Sequence, residues 1–102
     1  MPVFNSSKMS TLSASGWDVD SCDVRIDGDS ILVAYRDGPA QVFYRGKQNG
    51  PGHFELAMEN GDGKATLHQF PGRDLLEGWW VEDGELGAWR IELRLMPAGK
   101  KR

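Results

Sequence analysis

The chain has 102 residues, of which 39% are hydrophobic and 26% are charged, with 13 glycines and a formal net charge of −3. This length predicts a single domain. The slightly acidic charge, with no stripe of Lys and Arg among the aromatic residues, argues against nucleic acid as a partner.

Cysteine content and apolar run length predict the compartment. The single cysteine, Cys22, excludes an intrachain disulfide and favours a reducing environment. The longest apolar run, Ile31 to Tyr35, is far shorter than the ~20 residues of a membrane span. The residues after Met1 show no secretory signal pattern. We therefore expect a cytoplasmic protein with no membrane partner.

The chain divides into three parts by composition. Residues 1–15 are Ser-rich and lack clear periodicity, which predicts a loosely ordered N-terminal arm with at most a short edge strand at Val3-Phe4. Residues 16–96 alternate roughly eight-residue runs with short turn clusters, a spacing typical of a single β-barrel-like domain. Residues 97–102 end in Lys100-Lys101-Arg102, which predicts a solvated basic tail.

Six turn clusters rich in Gly, Asp, Asn and Pro separate the predicted strands. They are Asp27-Gly28-Asp29, Asp37-Gly38-Pro39, Asn49-Gly50-Pro51-Gly52, Asn60-Gly61-Asp62-Gly63, Pro71-Gly72-Arg73-Asp74 and Asp83-Gly84. No segment has apolar residues at helical spacing over more than two turns, and no connection is long enough for a crossover helix. The prediction is an all-β, antiparallel up-and-down meander of about seven or eight strands. It forms a small barrel or a strongly curved sheet; a half-open sheet completed by a second copy is the alternative.

Each turn predicts a register, because cross-strand partners share a face of the sheet. A turn at Gly28-Asp29 places Cys22 opposite Tyr35. A turn at Asp37-Gly38 places Tyr35 opposite Ala40, and a turn at Gly61-Asp62 places Leu56 opposite Leu67.

The last hairpin predicts its own register most specifically. With Asp83-Gly84 as the turn, Trp80 lies opposite Gly87 and Gly78 lies opposite Trp89. Each large ring then faces a residue without a side chain, an arrangement in which an aromatic covers a strand glycine and fixes the register.

These registers together define one predicted inner face. Its members are Cys22, Val24, Ile26, Ile31, Val33, Tyr35, Val42, Tyr44, Phe54, Leu56, Met58, Leu67, Leu76, Trp80, Trp89, Ile91 and Leu93.

The motifs Gly78-Trp79-Trp80 and Gly87-Ala88-Trp89 resemble the Gly-x-Trp hairpins of calycin-type barrels, namely lipocalins, fatty-acid-binding proteins and avidin-like proteins. The resemblance covers roughly residues 75–95 and implies an antiparallel barrel that holds a small apolar ligand. Here the motif lies in the last hairpin rather than near the first strand. The same segment is similar to the ends of small bacterial proteins, which implies a bacterial source and no particular activity.

The polar tips of the inner face are candidate ligand contacts. Tyr35, Tyr44 and Gln69 could hold the polar end of a small ligand while Trp80 and Trp89 line the pocket. The alternative is a barrel filled by its own side chains, with the tyrosine hydroxyls reaching solvent at the rim.

The outer face carries a predicted interface. Trp79, Val81 and Leu86 are neighbours there by register, and Leu75 lies one step along. A contiguous apolar patch that contains Trp marks an interaction surface. The alternative is that the N-terminal arm folds over this patch.

The two histidines are the candidates for chemistry. His53 and His68 are predicted on an outer strand face with Glu55, and His with carboxylate is a zinc-type ligand set. Because no third ligand is apparent, we interpret them as surface residues. An enzyme that uses His53 or His68 remains the second alternative.

The remaining titratable groups suggest structural roles. Cys22 is predicted to point inward, where burial makes a thiol inert. Asp18, Asp20 and Asp23 lack calcium-loop spacing and suggest a solvated strand entry, as do the acidic residues of 82–85 at their hairpin tip.

These observations favour a non-catalytic protein-interaction module, a homodimer, an adaptor or an inhibitor, that uses the outer face. The first alternative is a calycin-like binder of a small apolar ligand. No catalytic residue, cofactor or metal ion is expected.

Overall fold

The computed structural model describes residues 3–59, 61–69 and 71–93, so the predicted basic tail lies outside the described residues. The described chain forms strands joined by short turns. They are β1 (Val3–Ser13), β2 (Gly16–Asp27), β3 (Ser30–Asp37), β4 (Ala40–Gln48), β5 (His53–Met58), β6 (Lys64–Gln69), β7 (Leu75–Glu82) and β8 (Glu85–Glu92).

The strands form a closed barrel. Each strand pairs antiparallel with the next along the chain, and β1 pairs with β8 to close the circle. At this seam Lys8 Nζ lies 3.7 Å from Glu92 Oε2. The predicted all-β up-and-down meander is therefore confirmed, with closure by main-chain pairing.

No helix long and apolar enough to cross a membrane occurs in the described part of the chain.

The prediction of a loosely ordered N-terminal arm is wrong, because residues 3–13 form strand β1. This strand pairs with β2 and, from Lys8 to Leu12, with β8. Its inward positions include Ser7 and Met9, both fully or almost fully buried. The sequence does not reveal the strand because one of these inward residues is polar and a bulge after Phe4 breaks the alternation.

Two predicted registers are confirmed. Cys22 pairs with Tyr35 across β2 and β3, and the β7–β8 hairpin has every predicted pair. Its turn residues Asp83 and Gly84 have φ of 50° and 81°, as the favoured two-residue hairpin turn requires.

The β3–β4 register is shifted by two residues from the prediction. Tyr35 pairs with Val42 rather than Ala40, since the turn residues are Gly38 and Pro39. Gly38 has φ of 61° and Pro39 fixes its own φ near −65°, which suits the two central positions of a hairpin turn.

The β5–β6 register is shifted in the same way. Leu56 pairs with Ala65 rather than Leu67. The Met58 amide donates to the Gly63 carbonyl at 2.8 Å, so the loop is longer than the two residues that Gly61-Asp62 would give. A two-residue slip keeps every side chain on its predicted face, because side chains alternate with a period of two.

The predicted inner face is confirmed as the core. All of its residues are buried or are half-buried and packed against the buried cluster, and Met9 and Ala65 join them. Eight strands enclose an interior just wide enough for side chains to fill, and these residues occupy it.

Both glycines of the last hairpin lie against the backbone of a neighbouring strand, and one of them is also covered by a ring. A Cβ at Gly87 would overlap the Trp80 ring, as the predicted ring-over-glycine arrangement requires, and also the backbone carbonyl of Leu12 on β1. A Cβ at Gly78 would overlap the backbone carbonyl of Thr66 on β6. Trp89 Nε1 donates to that same carbonyl at 3.0 Å. Gly78 therefore makes room for a neighbouring strand.

Candidate functional site

The predicted outer patch is present on β7 and β8. Trp79, Val81 and Leu86 line one groove, and the side chains of Trp79 and Leu86 are 47% and 69% exposed. Leu75 is half-buried and lies further along β7, beyond Glu77. The structure thus brings three of the four predicted interface residues together.

Barrel closure extends this patch across two more strands. Trp79 pairs with Ala88 on β8, Ala88 with Leu12 on β1, and Leu12 with Trp17 on β2. Trp17 and Val19 are 59% and 61% exposed. We call the combined surface the outer apolar face; its members are Leu12, Trp17, Val19, Trp79, Val81 and Leu86.

Sequence reasoning missed Trp17 and Val19. Their alternation with Asp18 and Asp20 places them on one strand face, but only the β1–β8 pairing brings that face beside Trp79. The alternation of residues 17–20 is therefore enough to predict that Trp17 and Val19 share a strand face, but it does not predict that this face lies near Trp79.

The hypothesis that the N-terminal arm covers the patch is wrong for the residues whose side chains are described. Met9 points into the core, and Leu12 lies beside Trp79 as a member of the same groove. β1 therefore extends the surface sideways, and the groove of about 800 Å³ between Leu12 and Trp79 is open.

A second cavity lies at the barrel end that carries the β3–β4 and β7–β8 turns, and we call it the mouth cleft. Its volume is about 370 Å³, and its walls include Tyr35, Tyr44, Trp80 and Trp89. The structure thus brings four of the five predicted ligand contacts together. The fifth, Gln69, ends β6 at the opposite end of the barrel.

The floor of the mouth cleft is aromatic. The rings of Tyr35 and Tyr44 stack with centroids 6.5 Å apart, and the rings of Tyr44 and Trp89 meet edge to face at 5.3 Å. The Tyr44 hydroxyl donates to Glu82 Oε2. Burial, and then the adjacent Glu82 carboxylate, raise the pKa of Tyr44 well above its usual range. Tyr44 is therefore a neutral hydrogen-bond donor.

The rim of the mouth cleft is charged. Asp18, Asp20, Glu82 and Arg36 line it together with the rings. Asp18 and Asp20 are exposed near the start of β2, as predicted for a solvated strand entry, but their position beside a cavity was not predicted from the sequence. The available signal was their alternation with Cys22, which puts them on the inward-facing side of β2 beyond the core.

The histidines lie away from both surfaces. His53 pairs with His68 on the outer face of β5 and β6, with ring centroids 6.2 Å apart. His53 Nε2 lies 3.7 Å from Glu55 Oε2. Among the described residues, no cluster of three or more His, Cys, Asp or Glu is placed to hold a metal ion.

Cys22 is inward, as predicted. Its side chain is buried among core residues, and burial, together with the nearby Asp23 carboxylate, raises the pKa of the thiol to about 12. A protonated thiol is a poor nucleophile.

Comparison of the chain with protein-family models, with curated proteins and with solved structures finds no match.

Proposed function

We propose that this protein is a non-catalytic protein-interaction module that binds its partner through the outer apolar face. One observation carries the proposal: Trp17 and Val19 on β2, Trp79 on β7 and Leu86 on β8 are each about half exposed or more. Leu12 on β1 and Ala88 on β8 connect Trp17 with Trp79 in one row of paired residues. Scattered exposed apolar residues are ordinary, but a contiguous patch marks an interface. Trp side chains in particular dominate binding energies.

The surroundings of this face suit a protein contact. Next to the Trp79 row lies a polar row in which Arg90 Nε donates to Glu77 Oε2 at 2.8 Å. An apolar centre with a polar margin is the usual anatomy of a protein interface. A closed barrel has no free strand edge, so the partner would bind by side-chain packing and not by adding a strand.

The partner is a second copy of the chain, a protein that the module adapts, or a protein that it inhibits. Site-specific photo-crosslinking distinguishes these cases. A benzophenone amino acid replaces Trp79 in cells that naturally make the chain. The matched control replaces Phe43, which is on the outer face of β4 and half-buried.

The expected result is a crosslinked protein species at position 79 that is absent at position 43. Its mass distinguishes a homodimer from a complex with another protein. Equal crosslinking at both positions, or none at position 79, would overturn the proposal.

Alanine substitution provides the second test. Trp79→Ala with Leu86→Ala should abolish the complex, whereas Phe43→Ala with Leu32→Ala should leave it intact. Loss of the complex in both pairs would indicate general destabilisation and would contradict a specific role of the outer apolar face.

The alternatives have less support. A small apolar ligand inside the barrel would compete with the side chains that occupy the centre, and the mouth cleft carries charged groups. For an enzyme based on His53 or His68, the described residues offer no cluster of three or more His, Cys, Asp or Glu that could hold a metal ion. Two further proposals concern family and location. The closed eight-stranded meander supports a calycin-type relationship. The single free cysteine, Cys22, supports a cytoplasmic location.

A further inference from the structure

We infer that the mouth cleft is a binding site for a small organic cation, a compound that carries an ammonium group. Its cavity of about 370 Å³ combines buried aromatic rings in the floor with carboxylates at the rim. Aromatic faces attract cations through the ring quadrupole, and Trp is the most effective of them. This inference does not depend on the proposed protein partner.

The charges of the rim favour a positive ligand. Three carboxylates, Asp18, Asp20 and Glu82, line the cleft together with one guanidinium, Arg36, so negative charge is in excess. Within the described chain, Asp18 and Asp20 take part in no ion pair. A cleft lined by one sign of charge over a low-dielectric floor concentrates ions of the opposite sign.

The hydrogen bonds of the floor disfavour an anion. Trp80 Nε1 donates to the Ala88 carbonyl at 3.2 Å, and Trp89 Nε1 donates to the Thr66 carbonyl at 3.0 Å. The Tyr44 hydroxyl donates to Glu82. These three donors are already engaged, so they have no hydrogen bond to offer an anion.

The four tryptophans allow a direct test by nuclear magnetic resonance of the indole N–H signals. Trp80 and Trp89 line the mouth cleft, while Trp17 and Trp79 lie on the outer apolar face and serve as internal controls. Single Trp→Phe variants assign the signals. The probes are choline and butylammonium, against 3,3-dimethylbutan-1-ol, which is the uncharged isostere of choline, and butyrate.

The expected result is a saturable shift of the Trp80 and Trp89 signals with both cations. The alcohol and butyrate should produce no saturable shift, and the Trp17 and Trp79 signals should stay in place. Higher salt should weaken cation binding, because exposed charges are screened.

Carboxylate removal tests the role of the rim. Asp18→Asn with Asp20→Asn should raise the Kd for choline by about two- to tenfold, which corresponds to two exposed ion-pair contributions. Asp29→Asn in the β2–β3 turn, at the opposite end of the barrel, is the matched control and should leave the Kd unchanged.

Three outcomes overturn the inference. They are no saturable shift with either cation, equal binding of the uncharged isostere, and an unchanged Kd in the double variant. Shifts of Trp17 or Trp79 in place of the mouth signals would likewise locate binding elsewhere.

Discussion

The buried thiol of Cys22 should make the barrel sensitive to alkaline pH. The pKa of this thiol is about 12 in the folded protein, against 9.0 for an unburied cysteine. The folded state therefore holds its proton more tightly than the unfolded state does. The stabilisation is fully present below pH 9 and is lost as the pH rises from about 9 towards 12.

The size of the loss follows from the pKa difference. One pKa unit corresponds to about 1.4 kcal/mol, and integration from pH 8 to about pH 10.5 gives a loss of about 2 kcal/mol of unfolding free energy. Because Cys22 is 3% exposed, solvent screening reduces this figure little. The urea midpoint should fall by roughly 1 M.

The assay compares urea unfolding of the wild type and Cys22→Ala at several pH values. The variant loses core packing worth about 1–2 kcal/mol at every pH, and it lacks the thiol titration. Tyr44, whose raised pKa acts in the same direction, is present in both proteins. The stability advantage of the wild type over the variant should therefore fall by about 2 kcal/mol over this pH range, which leaves the two proteins about equally stable or the variant slightly more stable.

A stability difference that stays constant with pH would refute the reasoning. A thiol-reactive disulfide reagent gives an independent measurement: at pH 8 the folded protein should react about a thousandfold more slowly than the urea-unfolded chain. Equal rates would show that Cys22 is neither buried nor shifted in its pKa.

Two glycine substitutions should be costly for different reasons. Gly87→Ala places a Cβ against both the Trp80 ring and the Leu12 carbonyl and should cost about 1–3 kcal/mol of overpacking, measured by thermal unfolding; an unchanged Tm would contradict these two close contacts. Gly63→Ala places a Cβ against the Tyr44 hydroxyl at the mouth cleft and should cost a similar amount by displacing the Tyr44–Glu82 hydrogen bond; an unchanged Tm would show that the β5–β6 loop moves aside without disturbing the cleft.

Alternation made most of the fold predictable. A period of two assigns each side chain to a face whether or not the turn is placed correctly, so Val42 and Leu67 were assigned to the core even in the wrong register. By the same logic, periodicity cannot detect a slip of two residues. The register is set by which residues form the turn, as the positive φ of Gly38 beside Pro39 illustrates.

The candidate surfaces were predictable only in part, because each depends on a contact between distant parts of the chain. Trp79 and Leu86 are neighbours within one hairpin, so the register of that hairpin is enough to predict their proximity. Trp17 joins them through the β1–β8 seam, which the Ser-rich sequence of β1 conceals. Asp18 reaches the mouth cleft through the same closure.

The same alternation makes the two candidate surfaces separable. On β7, Trp79 faces outward and its neighbour Trp80 forms part of the mouth cleft; on β2, Trp17 faces outward and Asp18 faces the cleft. Val19 lines the mouth cleft and also belongs to the outer apolar face, so the two surfaces meet at that residue. Trp79 and Asp18 each line only one of them, so each surface can be altered at a position on a rigid strand with the other left in place. Trp79→Ala should remove partner binding and retain cation binding, while Asp18→Asn should weaken cation binding and retain the partner. If either substitution removed both, the two surfaces would be parts of one site, with the cation held at the margin of the protein contact.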